Sequence, residues 1–340
     1  MRNMTIRTDE YLHTPLCELA KRYNYIGDFF ESRAFPVQVA RDKETRNALE
    51  LFASLDPVAL EERALSVETL PEDFVLFMAD MESRSVEKAF DLKELTIVGG
   101  YDKDAHPEGV EIVLHPADVL SIVGPTGSGK SRLLADIEWL AQGDTPTKRR
   151  ILVNGRVPPS QWRFSLEQKL VAQLSQNMNF VMDVSAAEFV RMHAESRMVR
   201  DVDGKVRAIL EEANALAGEA LFPDTPVTSL SGGQSRALMI ADTAFLSASP
   251  IVLIDEIENA GIDRRTAVDL LIKSEKIVLI ATHDPGLALR ADRRIVIRNG
   301  GIVKLLKTSD AEREKLVEIE AIDRELNSYR ERLRMGGTIA

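Results

Sequence analysis

Cysteine is almost missing from the sequence, since Cys17 is the only one among 340 residues. A single cysteine excludes a disulfide bond within the chain and any metal site built from cysteines. We interpret Cys17 as a core or half-buried helix residue, because a free cysteine commonly behaves as a small apolar side chain.

Long apolar runs are also missing, and none approaches the roughly 20 residues that a membrane-spanning helix needs. Residues 1–10 are polar throughout and do not have the pattern of a signal peptide. We therefore expect a cytoplasmic location, and peripheral attachment at the inner face of a membrane stays open.

Positive charge is in the minority, with 43 Lys and Arg against 54 Asp and Glu and a formal net charge of −11. Nucleic-acid binding depends largely on clustered basic residues, so this balance disfavours a nucleic-acid partner. The conspicuous basic cluster at 148–150 is interpreted as the solvent-exposed start of a strand.

What the sequence does contain is a phosphate-loop pattern, directly after an apolar run at 119–123 that predicts a buried strand. Its residues are Gly124, Pro125, Thr126, Gly127, Ser128, Gly129, Lys130 and Ser131. The glycines let successive N–H groups point into one concavity, and a helix beginning near Gly129 adds the positive end of its dipole. Lys130 is predicted to contact the β- and γ-phosphates, and the Ser131 hydroxyl to bind Mg²⁺. A glycine-rich turn without a ligand is the alternative, which the preceding strand disfavours.

The length suggests more than one domain, and residues 1–88 carry no phosphate motif. Proline-marked turns predict short helices there, with helix-start signatures at 14–18 and 56–62. A further helix is expected at 71–78 and a polar linker at 82–85. The dense aromatic residues could stack on a ligand or partner, but a small helical core is favoured, because aromatic side chains bury the most surface. They are Tyr11, Tyr23, Tyr25, Phe29, Phe30 and Phe35.

From residue 92 onward, short apolar runs alternate with longer amphipathic stretches, which predicts an α/β architecture. Besides the strand before the phosphate loop, strands are expected at 95–98, 110–114, 150–153 and 169–174. Between about 184 and 218 the chain turns helical and charged, so this insert would form a separate helical lobe at about 180–230.

The segment Leu230-Ser-Gly-Gly-Gln234, at the start of a predicted helix, resembles the signature motif of ATP-binding-cassette (ABC) ATPases. The run Ile251-Val-Leu-Ile-Asp255-Glu256 resembles the Walker B strand of the same family. The resemblance covers about residues 90–306. It implies a P-loop NTPase cassette, with a RecA-like core and antiparallel β and helical subdomains.

Three domains are therefore predicted along the chain. An N-terminal all-α domain at 1–88 precedes the cassette at 89–308, which includes the helical lobe at about 180–230. An amphipathic C-terminal helix follows at 309–340.

The resemblance also implies that the chain binds ATP with Mg²⁺ and hydrolyses it, with Lys130 among the catalytic residues. Asp255 would hold the ion together with Ser131 and Gln176, which is similar to the Q-loop glutamine that senses magnesium and the attacking water. Glu256 is similar to the catalytic glutamate that polarises this water. His283 is similar to the switch histidine that contacts the γ-phosphate.

One signature motif and one phosphate loop in a single chain imply, by resemblance, a head-to-tail homodimer on ATP binding. Each ATP would lie between the phosphate loop of one chain and the signature turn of the other. The predicted nucleotide contacts outside the phosphate loop are Tyr101, Arg132, Ser231, Gly232, Gly233, Gln234 and Asp263. Tyr101 fits an aromatic that stacks on adenine, or an exposed turn residue. Asp263 fits the dimer-facing D-loop aspartate, although the residues before it depart from the family pattern.

Two functions compete for this cassette. The favoured one is an ATPase that remodels or activates a protein partner, bound through the N-terminal domain or the C-terminal helix. The alternative is the nucleotide-binding subunit of an ABC membrane transporter. The C-terminal stretch carries an apolar seam that could pack on its own cassette, on a partner helix or on a second chain. The seam is Ile319, Ile322, Leu326, Tyr329 and Leu333.

Overall fold

The computed structural model of the chain describes residues 2–23, 25–33, 35, 46–61, 65–85, 90–163, 169–175, 180–199, 201–255 and 262–339. It divides into two units. One comprises Met1–Lys88 with Val184–Leu210, and the other Ala89–Asp183 with Glu211–Ala340. The three-domain division of the sequence stays a prediction.

Short helices make up the N-terminal part of the first unit. They are α1 (Arg2–His13), α2 (Leu16–Arg22), α3 (Ile26–Ser32), α4 (Ala48–Ala53), α5 (Pro57–Glu61) and α6 (Leu70–Ser85). Asn47 and Glu50 form a capping box at the start of α4, and Asp56 accepts a backbone hydrogen bond at the start of α5. The start predicted at 14–18 is shifted, because α2 begins at Leu16 and has no side-chain cap.

An aromatic core lies among these helices, as predicted. All six of the aromatic residues singled out in the sequence are buried here. The rings of Phe29 and Phe74 pack edge to face with their centroids 5.0 Å apart, an arrangement that aromatic pairs prefer. Cys17 is half-buried on α2, which confirms the expectation for it.

The polar linker predicted at 82–85 is wrong, because α6 continues to Ser85. The side chain of Glu82 is buried and accepts a hydrogen bond from the Tyr11 hydroxyl at 2.7 Å. A buried carboxylate needs such a donor, so this polar residue belongs to the packed interior of the helical unit.

The first unit also includes α8 (Ala186–Ser196) and α9 (Val202–Leu216) as far as Leu210. Ser185 and Glu188 form a capping box at the start of α8. Met198 packs, partly buried, against the aromatic core. Helices predicted for the 180–230 insert are therefore present.

The described part of the second unit contains two sheets. The antiparallel sheet has the order β2 (Glu111–Leu114), β1 (Leu95–Val98), β4 (Arg150–Val153). The larger sheet has the order β5 (Val171–Leu174), β6 (Ile251–Asp255), β7 (Ile277–Ala281), β3 (Val119–Val123), β8 (Arg293–Arg298), β9 (Gly301–Lys307). Its strands are parallel except β9, which is antiparallel to β8. The strands predicted from the sequence are all present.

Helices α7 (Lys130–Glu138), α10 (Gly232–Phe245), α11 (Arg264–Lys273) and α12 (Pro285–Arg290) belong to the same unit. The central strands β6 and β7 are nearly continuous aliphatic runs and are almost entirely buried. Such runs are typical of parallel strands that are covered on both faces. The predicted α/β class is confirmed.

The C-terminal stretch forms one helix, α13 (Asp310–Arg334), whose polar side chains contact the rest of its unit. Arg264 on α11 donates to Asp323 at 2.8 Å, and Arg265 pairs with Glu320 at 3.1 Å. The apolar seam is only partly covered, since Ile322 is 65% and Leu333 57% exposed. Among the described helices, none combines the length and apolarity that crossing a bilayer requires.

Candidate active site

One edge of the large sheet brings together the phosphate loop, Asp255 and His283. They meet there because β6, β7 and β3 are parallel neighbours whose carboxyl ends coincide. Asp255 ends β6 opposite Ala281, and Ala281 lies opposite Ile122 of β3. The phosphate loop follows β3 directly, and His283 follows β7. The strand order therefore brings together residues that are far apart in the sequence.

The phosphate loop curls tightly against the turn between β8 and β9. A Cβ on Gly124 would lie 2.4 Å from the Ile297 carbonyl oxygen. Gly129 has φ of 111°, and a Cβ there would lie 2.8 Å from Cα of Gly300. Both positions therefore exclude any side chain, and α7 begins directly after Gly129, as predicted.

Lys130 is buried at the start of α7, and its ammonium group is held by the loop itself. Nζ donates to the carbonyl oxygens of Gly124 at 3.1 Å and of Pro125 at 3.4 Å. It also lies 2.9 Å from Nε2 of His283. An ammonium group can only donate hydrogen bonds, so Nε2 is the acceptor in this contact.

The other loop residues leave room and polar groups for an anion. Pro125, Thr126 and Gly127 are exposed. The Ser128 hydroxyl oxygen is buried and, within the described part of the chain, has no hydrogen-bond partner. An orphaned buried hydroxyl in a loop of this kind fits a ligand that supplies the missing partner, such as a phosphate.

Oxygen groups suited to Mg²⁺ flank the loop. Ser131 is exposed in the first turn of α7, and Asp255 is half-buried at the end of β6. Arg132 is exposed beside Ser131, with its Nε 3.5 Å from Asp136. Gln176 and Glu256 lie outside the described residues.

The signature turn opens α10 through a capping box. The Ser231 hydroxyl accepts a hydrogen bond from the Gln234 N–H, and the Gln234 side chain accepts one from the Ser231 N–H at 2.9 Å. Gln234 also donates to the Ala220 carbonyl at 2.7 Å, which fixes the turn. Ser231 and Gly232 are exposed, Gly233 is partly so, and a Cβ on Gly232 would meet no atom within 4 Å. Nothing described within the chain requires glycine at 232.

Asp263 caps α11. Its carboxylate accepts hydrogen bonds from the Arg265 N–H at 3.0 Å and from the Thr266 hydroxyl at 2.8 Å. Burial alone would raise its pKa, but these hydrogen bonds hold the pKa of Asp263 below its ordinary value. Arg264, which sequence reasoning missed, joins Asp284 and Asp323 in ion pairs, and nothing in its sequence context indicates this.

Tyr101 is exposed at 46%, and its backbone N–H donates to the Thr147 carbonyl at 2.7 Å.

The interpretation of the basic cluster at 148–150 as exposed is wrong for Arg149, which is fully buried between Glu108 and Asp136. Lys148 and Arg150 are exposed as expected.

Comparisons with known proteins point to one family. A family model described as ABC transporter matches residues 108–259. An uncharacterized ABC transporter ATP-binding protein of Methanocaldococcus jannaschii is 54% identical over 247 residues, which are 72% of this chain and 94% of that protein. A cobalamin import ATP-binding protein of Halobacterium salinarum is 28% identical over 203 residues, or 57% of this chain and 50% of that protein.

Among solved structures, CbiO1 of Clostridium perfringens, described as part of an ABC transporter complex, is similar with a TM-score of 0.51 and 21% identity. The similarity covers 67% of this chain and 93% of that one. At this identity it supports the fold alone, and the fold is the one that the sequence predicts.

Proposed function

The chain belongs to the family of ABC transporter ATP-binding proteins and is an ATP hydrolase of that type, and we propose that it is the nucleotide-binding subunit of a membrane transporter. The observation that carries the ATPase part of the proposal is the convergence of Lys130 and His283 at the phosphate loop, at the sheet edge where Asp255 ends its strand. The named relatives are components of transporters, which favours this function over the remodelling ATPase. The remodelling prediction has no support from those relatives.

The phosphate loop would bind the triphosphate of ATP. Backbone N–H groups of the loop, the Ser128 hydroxyl and the Lys130 ammonium group would neutralise its charge. With ATP bound, His283 would donate to a γ-phosphate oxygen from Nε2, in the tautomer that carries the proton there, in place of its contact with Lys130. Placing donors where charge develops in the transition state is the largest contribution that such a site makes to rate.

A magnesium ion would be held by Ser131 and Asp255, and by Gln176, and when bound it would supply charge neutralisation at the β- and γ-phosphates. Glu256 would accept a proton from the attacking water. It follows Asp255 directly in the sequence.

Two chains would close head to tail over two ATP molecules, with the signature turn of each chain facing the phosphate loop of the other. Gly232 supports this arrangement, because the chain itself leaves space at its Cα that a phosphate of the partner site would use. The N–H groups at the start of α10 would add donors and the positive end of the helix dipole. Asp263 would lie near the shared surface at the start of α11.

ATP binding would then drive transport, because a ligand that prefers the closed dimer shifts the equilibrium toward it. The exposed seam of α13, with Ile322 and Leu333, or the N-terminal helices would contact a further protein partner. Tyr101 would stack on the adenine ring, for which its exposed side chain is available.

The test is purification of the tagged full chain from detergent-solubilised membranes of its own cells. We expect a stoichiometric integral membrane protein that raises the ATPase rate of the chain when the two are reconstituted in vesicles. Recovery of a stoichiometric water-soluble enzyme instead, with ATPase stimulation by that enzyme, would replace the transporter with the remodelling ATPase.

A further inference from the structure

A buried ion-pair network has Arg149 at its centre. The side chain of Arg149 is 0% exposed, and those of Glu108 and Asp136 are each 1% exposed. Arg149 Nε donates to Glu108 at 3.1 Å, and Nη1 donates to Asp136 at 3.0 Å. The planar guanidinium presents its donors in a rigid fork, so it fixes the two carboxylates relative to each other.

Glu108 connects this network to the loop that carries Tyr101. Its Oε2 accepts a hydrogen bond from the Gly100 N–H at 2.8 Å. A Cβ on Gly100 would lie 1.9 Å from the Thr147 carbonyl oxygen, the same atom that accepts the Tyr101 N–H. The backbone at Gly100, just before Tyr101, therefore lies tightly between the Glu108 carboxylate and the Thr147 carbonyl.

Asp136 connects the network to the phosphate loop, because it lies on α7, the helix that begins at Lys130. Its Oδ2 also accepts the Thr147 hydroxyl at 2.7 Å. The third contact of Arg149 runs from Nη2 to the Gly300 carbonyl at 2.7 Å, and the Gly300 N–H donates to the Ser128 carbonyl at 2.7 Å. Arg149 therefore contacts Glu108, which holds the Tyr101 loop, and also Asp136 and Gly300, which adjoin the phosphate loop.

We propose that Arg149 is a positioning residue that fixes the Tyr101 loop relative to the phosphate loop, so that the base and the triphosphate of one nucleotide are bound together. The inference rests on the proposed function of Tyr101 and the phosphate loop. The side chain of Arg149 is buried, so it would not itself contact the nucleotide. Its effect is confined to the alignment of two subsites that bind opposite ends of the ligand.

The experiment compares two probes, ATP and inorganic tripolyphosphate, by calorimetric titration of the full chain with a chelator present to prevent hydrolysis. Tripolyphosphate requires only the phosphate loop, whereas ATP also requires the base subsite. We expect Tyr101→Ala to weaken ATP about tenfold, the size typical of losing one base–aromatic stack, and to leave tripolyphosphate unchanged.

Arg149→Lys should weaken ATP binding to a similar extent and leave tripolyphosphate binding unchanged. Lysine keeps the positive charge but lacks the planar set of donors that fixes both carboxylates. In the double variant with Tyr101→Ala the two losses should not add, since both act through one contact. The matched control is Arg150→Lys, the same change at the exposed neighbour, which should alter neither affinity.

A second variant covers the case in which Arg149→Lys does not fold, since disturbing a buried ion pair can be strongly destabilising. Glu108→Gln keeps the Arg149–Asp136 pair and offers one acceptor oxygen where the carboxylate uses two, toward Gly100 and toward Ile302. It should show the same selective loss for ATP.

The inference is overturned if either variant, folded, weakens both probes equally or weakens neither, or if its loss adds to that of Tyr101→Ala. A failure of the proposed nucleotide site is seen separately. In that case the wild-type chain binds neither probe, or Tyr101→Ala has no effect on ATP.

Discussion

Nζ of Lys130 lies 2.9 Å from Nε2 of His283, although the two residues are 153 positions apart in the sequence. The contact results from the pairing of β3 with β7, which puts the residues after both strands at the same sheet edge. Thr282, between β7 and the histidine, donates its N–H to the Ile122 carbonyl of β3 at 3.1 Å. A phosphate oxygen bound by Lys130 would therefore lie within reach of His283.

Replacing Lys130 with alanine should remove most of the ATP affinity. A hydrogen bond from a charged donor contributes about 1.5–3 kcal/mol, so we expect a loss of roughly 10- to 100-fold. Calorimetric titration with ATP measures it. Lys148→Ala is the control, because this lysine is exposed. Unchanged ATP binding by the Lys130 variant would contradict the assignment of the phosphate loop as the triphosphate site.

Replacing His283 with alanine should separate binding from hydrolysis. ATP affinity should change by only a few fold, because the loop and Lys130 remain. The hydrolysis rate should fall about 100-fold, the usual effect of removing one donor that stabilises the transition state. His115→Ala, at an exposed histidine, serves as the control in the same phosphate-release assay. Hydrolysis at the wild-type rate would exclude a γ-phosphate contact by His283.

Glu256→Gln should trap a dimer with ATP bound. The amide cannot accept a proton from the attacking water, so ATP should persist at the shared sites and hold the two chains together. Size-exclusion chromatography with light scattering, with ATP and magnesium present, measures the dimer. The same variant with ADP is the control and should be monomeric. A variant that stays monomeric with ATP and magnesium counts against the head-to-tail scheme.

Replacement by alanine should affect the melting temperature at one glycine and not at another. At Gly100 the added Cβ meets the Thr147 carbonyl oxygen at 1.9 Å, so Gly100→Ala should lower the melting temperature by several degrees. At Gly232 the Cβ meets nothing within 4 Å, so Gly232→Ala should leave the melting temperature unchanged.

The hydrolysis rate of Gly232→Ala should nevertheless fall at least tenfold, because the new methyl group would obstruct the phosphate of the partner site. Differential scanning fluorimetry and a phosphate-release assay on both variants make the comparison. Full activity of Gly232→Ala would remove the argument for a close approach at the signature turn.

The strands and the phosphate loop could be predicted from the sequence because their signals are local. Continuous aliphatic runs indicate β6 and β7, and the glycine spacing indicates the turn before α7. Burial of charge is different, since it depends on partners elsewhere in the chain. Arg149 pairs with Glu108, 41 positions away, and nothing near either residue indicates the pair.

The same reason explains the wrong linker at 82–85. Glu82 has a polar sequence context typical of a linker, but its partner Tyr11 is 71 positions away. Local composition therefore predicts elements well and predicts the location of buried ion pairs and carboxylates poorly.

The hydrogen bond from Tyr11 to Glu82 makes stability depend on pH at the alkaline end. Burial, the hydrogen bond to Glu82 and the nearby negative charge raise the pKa of Tyr11 above its ordinary value. The unfolded chain releases this proton near pH 10, whereas the folded chain retains it. The contribution of Tyr11 to stability is therefore complete below about pH 10 and decreases as the pH rises above that value.

Tyr11→Phe removes both the proton and the donor to Glu82. At pH 8 the variant should be less stable by about 1–3 kcal/mol, because the buried carboxylate loses its partner. Between pH 9 and 11 the free energy of unfolding should fall less steeply in the variant than in the wild type, so the two curves should converge. Urea titrations followed by near-ultraviolet circular dichroism measure both, with Tyr101→Phe at an exposed tyrosine as the control. Parallel curves across this range would show that Tyr11 ionises equally in the folded and unfolded chain, and the Tyr11–Glu82 bond would then not make stability depend on pH.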